Sequence, residues 1–294
     1  MIDTEARPQP RAVTAAGQRT VVVGYDEQPA GIAALIWAAD SAARRGARLR
    51  GVHQLSGREV PDRYGPAEGS AELVRRGRSR VANTVTEQVG VVDHLDVFVT
   101  TEPIADELVR ESIDAELLVV GSSYAHLPSA VLFDAPSRFI AQHSHCPVLL
   151  VPAGATPSSV AGLVCGVDRS AGASEALRWA AHDAALRGVT VLAAQVQPPV
   201  DLHGFGSQEP LGDWVAAQDI AEPTTIVCHV ISRYSPASEL VNLAAERQSM
   251  LVVGAPGRHT RRGHVASHVT SQDRVPVVIV PMKPPTPRVE PELA

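Results

Sequence analysis

The most constraining feature of this sequence is that it contains the same segment twice. Residues 24–46 and 166–188 align without gaps and are identical at 11 of 23 positions. The identities include a Gly-x-Asp at the start, a central Trp-Ala-Ala and an Arg-Gly at the end. A looser match continues beyond them and aligns Gly121 with Gly254. Self-similarity on this scale indicates a duplicated domain.

Each copy alternates short apolar runs, rich in β-branched residues, with segments of helical periodicity. The first copy has predicted strands at 20–25, 47–54, 93–100, 116–121 and 148–151. The second copy has predicted strands at 162–168, 189–196, 225–231, 249–254 and 276–280. Strict alternation of strand and helix predicts a parallel sheet that is covered by helices on both faces. We therefore expect an α/β chain of two tandem, doubly wound, five-stranded parallel-sheet domains of Rossmann-like type.

Composition along the chain predicts where these domains begin and end. The expected division is a disordered tail (1–17), domain 1 (18–152), a linker (153–159), domain 2 (160–282) and a second disordered tail (283–294). The linker is rich in Pro, Gly and Ser, and the last tail is Pro-rich and charged. In domain 2, several Pro and Gly residues interrupt 198–224 and leave only a reduced helix at about 211–220.

Charge and cysteine usage narrow the function classes and partners. A net charge of −6 argues against a nucleic-acid partner, because non-specific binding depends on basic charge. The first 19 residues lack a secretory apolar core, and no apolar run has the length of a membrane span, so we expect a cytoplasmic protein without a membrane partner. Cys146, Cys165 and Cys228 have no metal-binding spacing; Cys165 and Cys228 lie in apolar runs and are predicted to be buried thiols.

The stretch after the fourth strand of domain 2 carries the clearest candidate site. The apolar run stops at Gly254, and Gly257, Arg258 and further arginines follow before Ser267. Glycine lets a backbone approach a ligand closely, and basic side chains with a nearby helix start favour an anion. An ordinary exposed loop with a solvated basic face remains the alternative, since glycine-rich loops after strands are common.

Each predicted sheet has one aspartate at the carboxyl end of its first strand. Asp26 and Asp168 end the first strand of each copy, where doubly wound sheets bind ligands. Neither has a visible partner base, so we interpret both as residues that cap a turn or contact a ligand. His264 and His268 have helical spacing but no evident third ligand, and no metal site is predicted. No nucleophile elbow, P-loop or Gly-x-Gly-x-x-Gly occurs, and the chain is not expected to be an enzyme.

Two further patterns are interpreted as structural. Trp37 and Trp179 hold equivalent helix positions and are predicted to pack in the core. A run of arginines at 75–80 is predicted to form a solvated face of the second helix.

Taken together, the Gly-x-Asp after the first strand, the Trp-Ala-Ala, a fourth strand ending Val-Val-Gly and a final Pro-Val strand resemble the tandem universal stress proteins. The resemblance covers about 18–152 and 160–282 and implies the fold described above. Some members bind ATP through the first-strand Asp and a loop of the form Gly-x2-Gly-x9-Gly-(Ser/Thr). In domain 2, Gly254 and Gly257 fit the first two glycines, while Ser267 stands at the third and His268 at the hydroxyl position.

The resemblance implies a set of ligand-contacting residues that is fuller in domain 2. They are Gly166, Val167, Asp168, Val196, Gly254, Gly257, Arg258, Ser267 and His268. The weaker set in domain 1 is Asp26 and Gly121, because Tyr124 replaces the second glycine and Asp134 the third. An aspartate beside a triphosphate is repulsive, so domain 1 is expected to bind ATP poorly.

The expected function is a non-catalytic stress-response protein that binds ATP or a related adenine nucleotide weakly, mainly in domain 2. The alternative is a nucleotide-independent structural or interaction protein of the same fold. In both cases the halves are predicted to form an intrachain pseudo-dimer through Val148–Val151 and Val277–Val280, since these apolar strands need a covered edge. A further homodimer is left open.

Overall fold

The structure, a computed structural model, describes residues 19–55, 67–92, 94–122, 136–198, 210–255, 264–269 and 274–282. The strands of the first repeat are β1 (Thr20–Tyr25), β2 (Arg48–Gln54), β3 (Leu95–Thr100), β4 (Leu117–Ser122) and β5 (Val148–Pro152). Its helices are α1 (Pro29–Arg45), α2 (Ala67–Gln88), α3 (Ile104–Glu111) and α4 (Pro136–His143). The disorder predicted for 1–17 and 283–294 lies outside the described residues.

The second repeat has the same order of elements. Its strands are β6 (Gly162–Gly166), β7 (Thr190–Gln197), β8 (Ile226–Ser232), β9 (Ser249–Gly254) and β10 (Val277–Val280). Its helices are α5 (Ala171–Arg187), α6 (Leu211–Ala216), α7 (Pro236–Glu246) and α8 (His264–Val269). The helix predicted at 211–220 is therefore real but ends four residues earlier, at Ala216.

The ten strands form one sheet in the order β3-β2-β1-β4-β5-β10-β9-β6-β7-β8. Within each repeat neighbouring strands are parallel, which confirms the predicted doubly wound α/β fold. The repeats meet where β5 and β10 pair antiparallel, with Leu149 opposite Val278. The intrachain pseudo-dimer thus forms through the predicted strands, and each covers the apolar edge of the other.

Two apolar layers hold the helices against this sheet, one on each face, and both extend across the two repeats. On one face Leu35 and Trp37 of α1 share a layer with Leu177 of α5. On the other, Leu108 of α3 shares a layer with Leu240 of α7. Because the two layers are continuous across β5 and β10, the repeats pack as one body.

A buried ion-pair network, which we call the α1–α5 network, also joins the repeats. Arg45 Nη2 donates to Asp183 Oδ1 at 2.5 Å, and Arg187 Nε donates to Asp183 Oδ2 at 2.7 Å. The side chains of Arg45 and Asp183 are each 1% exposed, and that of Arg187 is 4% exposed. Arg45 also contacts Glu116, and Arg187 contacts Asp40. Opposite charges are thereby paired away from water, where an unpaired charge is costly.

Two tryptophan rings pack against the arginines of this network. The Arg45 guanidinium lies 5.9 Å from the ring centroid of Trp179, and that of Arg187 lies 5.2 Å from Trp37. Each arginine thus lies over the tryptophan of the opposite repeat, a cation–π arrangement. Trp37 is fully buried and donates from Nε1 to the carbonyl of Ala155 at 3.1 Å, whereas Trp179 is half-buried. The predicted packing role of both tryptophans is confirmed, and it includes contact between the repeats.

Two cysteines are buried as predicted, but Cys228 is exposed. Burial raises the pKa of the Cys146 thiol to about 12 and raises that of Cys165 as well. The prediction for Cys228 was wrong because its strand, β8, is the outermost one and the short α6 leaves much of it uncovered.

Candidate functional site

Strand order reverses at two equivalent points of the sheet, one in each repeat. In domain 1, β1 lies beside β4, and the chain leaves these two strands toward opposite faces of the sheet. In domain 2, β6 and β9 stand in the same relation. The carboxyl ends of such strand pairs are where open α/β sheets bind ligands. We call these the domain 1 cleft and the domain 2 cleft.

A close backbone contact shapes the domain 2 cleft. A Cβ added to Gly254 would lie 2.4 Å from the carbonyl carbon and oxygen of Gly172, in the first turn of α5. A Cβ added to Gly172 would in turn lie 3.0 Å from the carbonyl oxygen of Ala255. Both positions therefore require glycine for the end of β9 to approach the helix so closely. The loop after β9 consequently begins beside the N-terminus of α5.

Domain 1 builds the same contact from its own sequence. A Cβ added to Gly121 would lie 2.6 Å from the carbonyl carbon of Ala30 and 2.9 Å from the backbone nitrogen of Gly31. The repeat identity between Gly121 and Gly254 is thus explained by helix–strand packing in both halves. This contact alone does not distinguish a ligand-binding cleft from an empty one.

The aspartates at the mouths of the two clefts differ in their surroundings. Asp26 Oδ1 accepts from the backbone N–H of Gln28 at 3.1 Å. A Cβ added to Gly31 would lie 2.1 Å from that same carboxylate oxygen, so Asp26 lies directly on the first turn of α1. A carboxylate at this position is favoured by the partial positive charge of a helix N-terminus. Asp26 is accordingly engaged with its own helix.

In domain 2 a side chain caps the helix, which no side chain does for α1 in domain 1. Ser170 is the N-cap of α5, and its Oγ accepts from the backbone N–H of Ala173 at 3.2 Å. Asp168 Oδ1 accepts from Ser170 N at 3.0 Å, and the side chain is exposed. Asp168 thus makes the same turn hydrogen bond as Asp26, and both side chains are exposed. What differs is that the Ser170 side chain caps α5, whereas no side chain caps α1 at Gln28.

The residue after each aspartate carries opposite charge in the two repeats, a difference that sequence inspection missed. In domain 1 it is Glu27, which pairs with Arg80 of α2 at 3.0 Å. In domain 2 it is Arg169, half-buried and with a positive φ of 64°. Positive φ is uncommon for residues other than glycine and concentrates at functional sites. The aligned repeats could have revealed this reversal, because Glu27 and Arg169 match without a gap.

Three other predicted residues of domain 2 belong to the framework of the cleft. A Cβ added to Gly166 would lie 2.7 Å from Leu240 of α7, so close packing of that helix accounts for glycine there. Val167 is 5% exposed and donates its N–H to the carbonyl of Ala194 at 2.9 Å. Val196 is half-buried near the carboxyl end of β7. These residues support the wall of the cleft beside Asp168.

The remaining predicted residues lie on or near α8. Gly257 and Arg258 fall outside the described residues. Helix α8 begins at His264, so Ser267 lies within it, whereas the sequence suggested a position just before a helix. His268 is exposed on the same helix. Because α8 begins at His264, Ser267 does not precede the N-terminus of this helix.

The model of the universal stress protein family matches the chain twice, over residues 18–152 and 162–281. The chain belongs to the universal stress protein family. The resemblance inferred from the repeated motifs is therefore confirmed, as is the tandem arrangement of two family domains.

Individual relatives of this universal stress protein support the assignment over most of its length. Universal stress protein Rv2623 of Mycobacterium tuberculosis is 27% identical over 88% of this chain and 95% of its own. Universal stress protein Rv3134c of the same organism is 31% identical over 60% of this chain and 65% of its own. A crystal structure of a universal stress protein from Archaeoglobus fulgidus has a TM-score of 0.64 and 16% identity, covering 90% of this chain and 96% of that one.

Two other classes of site, a membrane span and a metal site, have no candidate in the described part of this universal stress protein. None of its helices there has both the length and the apolar character that a membrane span requires. Within the same residues, no three or more His, Cys, Asp or Glu side chains are grouped so that they could hold a metal ion. Among the described residues, the two clefts therefore remain the candidate sites.

Proposed function

We propose that this protein is a non-catalytic stress-response protein that binds ATP or a related adenine nucleotide, weakly and mainly in the domain 2 cleft. The observation that carries the proposal is the reversal of charge beside the two aspartates, from Glu27 in domain 1 to Arg169 in domain 2. Asp26 and Asp168 themselves are both exposed and accept equivalent backbone hydrogen bonds. A carboxylate so placed can accept hydrogen bonds from ligand hydroxyl or amino groups.

Charge favours the same cleft for a phosphorylated ligand. Domain 2 places Arg169 directly after its aspartate, and its sequence adds Arg258 in the loop that follows β9. Domain 1 places Glu27 at the corresponding position and Asp134 in the corresponding loop. Phosphate groups are favoured by arginine, which binds them through two parallel hydrogen bonds, and are repelled by carboxylates. The proposed preference for domain 2 follows from this difference.

Titration calorimetry with ATP on a matched pair of variants tests the proposal. We expect Asp168→Ala to weaken binding roughly 10-fold or more, since a hydrogen bond to a charged group contributes about 1.5–3 kcal/mol. Asp26→Ala should leave the affinity close to that of the parent. Gly257→Glu, which adds a carboxylate to the loop after β9, should also weaken binding. Absence of binding in the parent, or equal effects of the two aspartate variants, would contradict the proposal.

The alternative, an interaction protein without a nucleotide, is favoured by one observation. The β5–β10 pairing and the α1–α5 network join the repeats through the protein's own groups. The pseudo-dimer therefore has a structural explanation that needs no ligand. Ultraviolet absorbance of the supernatant after denaturation of freshly purified protein separates the two functions, because a bound adenine nucleotide is released and its base absorbs there.

A further inference from the structure

One end of the ten-stranded sheet is unusually open. Strand β8 (Ile226–Ser232) is the last strand in the order, and most of its residues are exposed. Val227 and Val230 are 51% and 47% exposed and lie on opposite faces of the strand. Its sequence, IVCHVIS, contains no Asp, Glu, Lys or Arg. An exposed, uncharged edge strand of this length is a surface on which another strand can pair.

The opposite end of the sheet is protected, and the comparison shows what β8 lacks. Strand β3 is covered by α2, a helix of 22 residues, and a Cβ added to Gly77 of that helix would lie 3.3 Å from Val99. β3 also carries Asp96, which pairs with Arg50. Charged residues on an edge discourage pairing with other chains. In domain 2 the corresponding helix, α6, has six residues and leaves β8 exposed.

The hydrogen bonds to β7 show which backbone groups of β8 point outward. Val191 N donates to the carbonyl of Thr225, and Arg233 N donates to the carbonyl of Gln197. Because backbone groups alternate sides along a strand, the odd-numbered residues of β8 face β7. The N–H and C=O groups of the even-numbered residues therefore point away from the sheet. These residues are Ile226, Cys228, Val230 and Ser232.

We propose that β8 is a homodimerisation surface, on which β8 of a second copy of this chain pairs antiparallel. The outward groups are self-complementary about a twofold axis at His229, which places Cys228 opposite Val230 and Ile226 opposite Ser232 of the other copy. The chain already uses this mode internally, since β5 and β10 of its two repeats pair antiparallel edge to edge. Pairing at β8 continues the same sheet from one molecule into the next.

The arrangement brings together apolar side chains on both faces of the joined sheet. Cys228 and Val230 of the two copies meet on one face, and on the other Val227 and Ile231 meet on either side of the paired His229 side chains. A single pair of strands buries little area, so we expect a weak, transient dimer. The dimer therefore forms at high protein concentration.

Sedimentation equilibrium from micromolar to near-millimolar concentration tests this surface. The parent should pass from monomer to dimer. Val230→Lys places a charge on the edge, and Val230→Pro removes one outward N–H without removing a bond to β7. Both should shift the transition to roughly tenfold higher concentration or more, which is about one unit of log Kd. Val91→Lys, a change at an 89% exposed valine away from β8, is the matched control and should dimerise like the parent.

A monomer at every concentration, or a dimer that both Val230 variants retain, would overturn the proposal, as would equal loss in Val91→Lys. If circular dichroism shows that Val230→Pro is misfolded, Val230→Lys decides alone.

Thiol cross-linking gives an independent readout. In the proposed register the Cα atoms of Cys228 in the two copies are about 9 Å apart, from a rise of about 3.4 Å per residue and a pair separation of about 5.5 Å. Cys146 and Cys165 are buried, so a short bismaleimide should react at Cys228. A covalent dimer is expected in the parent, with a weaker band in Val230→Lys and none in Cys228→Ser. Equal cross-linking in Val230→Lys would contradict the assigned register.

Discussion

Replacing Asp183 by alanine would remove the carboxylate that joins the two repeats in the α1–α5 network. Asp183 is fully buried and accepts from Arg45 at 2.5 Å and from Arg187 at 2.7 Å. The substitution would leave two guanidinium groups in a region from which water is excluded. Removing one partner of a buried pair typically costs about 3–5 kcal/mol, because the other charge stays buried and unpaired.

The remaining contacts place the expected effect near the lower end of this range. Arg45 keeps Glu116 at 3.3 Å, and Arg187 keeps Asp40 at 3.2 Å, although both carboxylates are partly exposed. We therefore expect Asp183→Ala to lower the free energy of unfolding by about 3 kcal/mol. In urea unfolding this appears as a lower midpoint with little change in slope.

A matched control tests whether burial is the cause. Glu72 also accepts from two arginines, Arg75 and Arg76, each at 2.8 Å, but on an exposed helix surface. Glu72→Ala should leave the urea midpoint unchanged within error, since exposed ion pairs contribute little. If Asp183→Ala destabilises the protein no more than Glu72→Ala does, the reasoning about the α1–α5 network is refuted.

Three further changes have defined outcomes. Gly254→Ala should destabilise by more than about 1 kcal/mol, because its Cβ would collide with the backbone of Gly172; an unchanged thermal midpoint would contradict the contact. Trp37→Ala should cost about 3–5 kcal/mol in urea unfolding through the cavity that it leaves, and a smaller loss would show that the site collapses. The buried Cys146 thiol, with its pKa raised to about 12, stabilises the fold fully below about pH 9, and this is lost as pH rises toward 12. Cys146→Ala should therefore lose less stability than the parent between pH 8 and about pH 10.5, by roughly 2 kcal/mol, and parallel pH curves for the two proteins would argue against it.

The architecture could be predicted from the sequence because the strongest pattern in it is a repeat within the chain itself. The repeated Gly-x-Asp and Trp-Ala-Ala segments indicated a duplication, and alternating apolar runs indicated a parallel sheet in each copy. The meeting of the repeats at β5 and β10 also followed, since two apolar edge strands need cover, although the antiparallel direction of the pair was not predicted. These features depend on local periodicity and on repeat identity, which a single sequence displays directly.

Features that depend on a partner from elsewhere in the chain were not predictable in the same way. Arg45 and Arg187 read as ordinary helix-terminal residues, and only the fold shows that each crosses to the other repeat. The burial predicted for Cys228 failed because an apolar run does not reveal whether a helix covers it. The start of α8 at His264 was also missed.

The central claim is that a duplicated module keeps one working nucleotide cleft, in domain 2. Equilibrium dialysis with radiolabelled ATP measures this directly as the number of nucleotides bound per chain. The account predicts a single site that is lost in Asp168→Ala and retained in Asp26→Ala. Two equivalent sites, no binding at any concentration, or a single site that depends on Asp26 would contradict it.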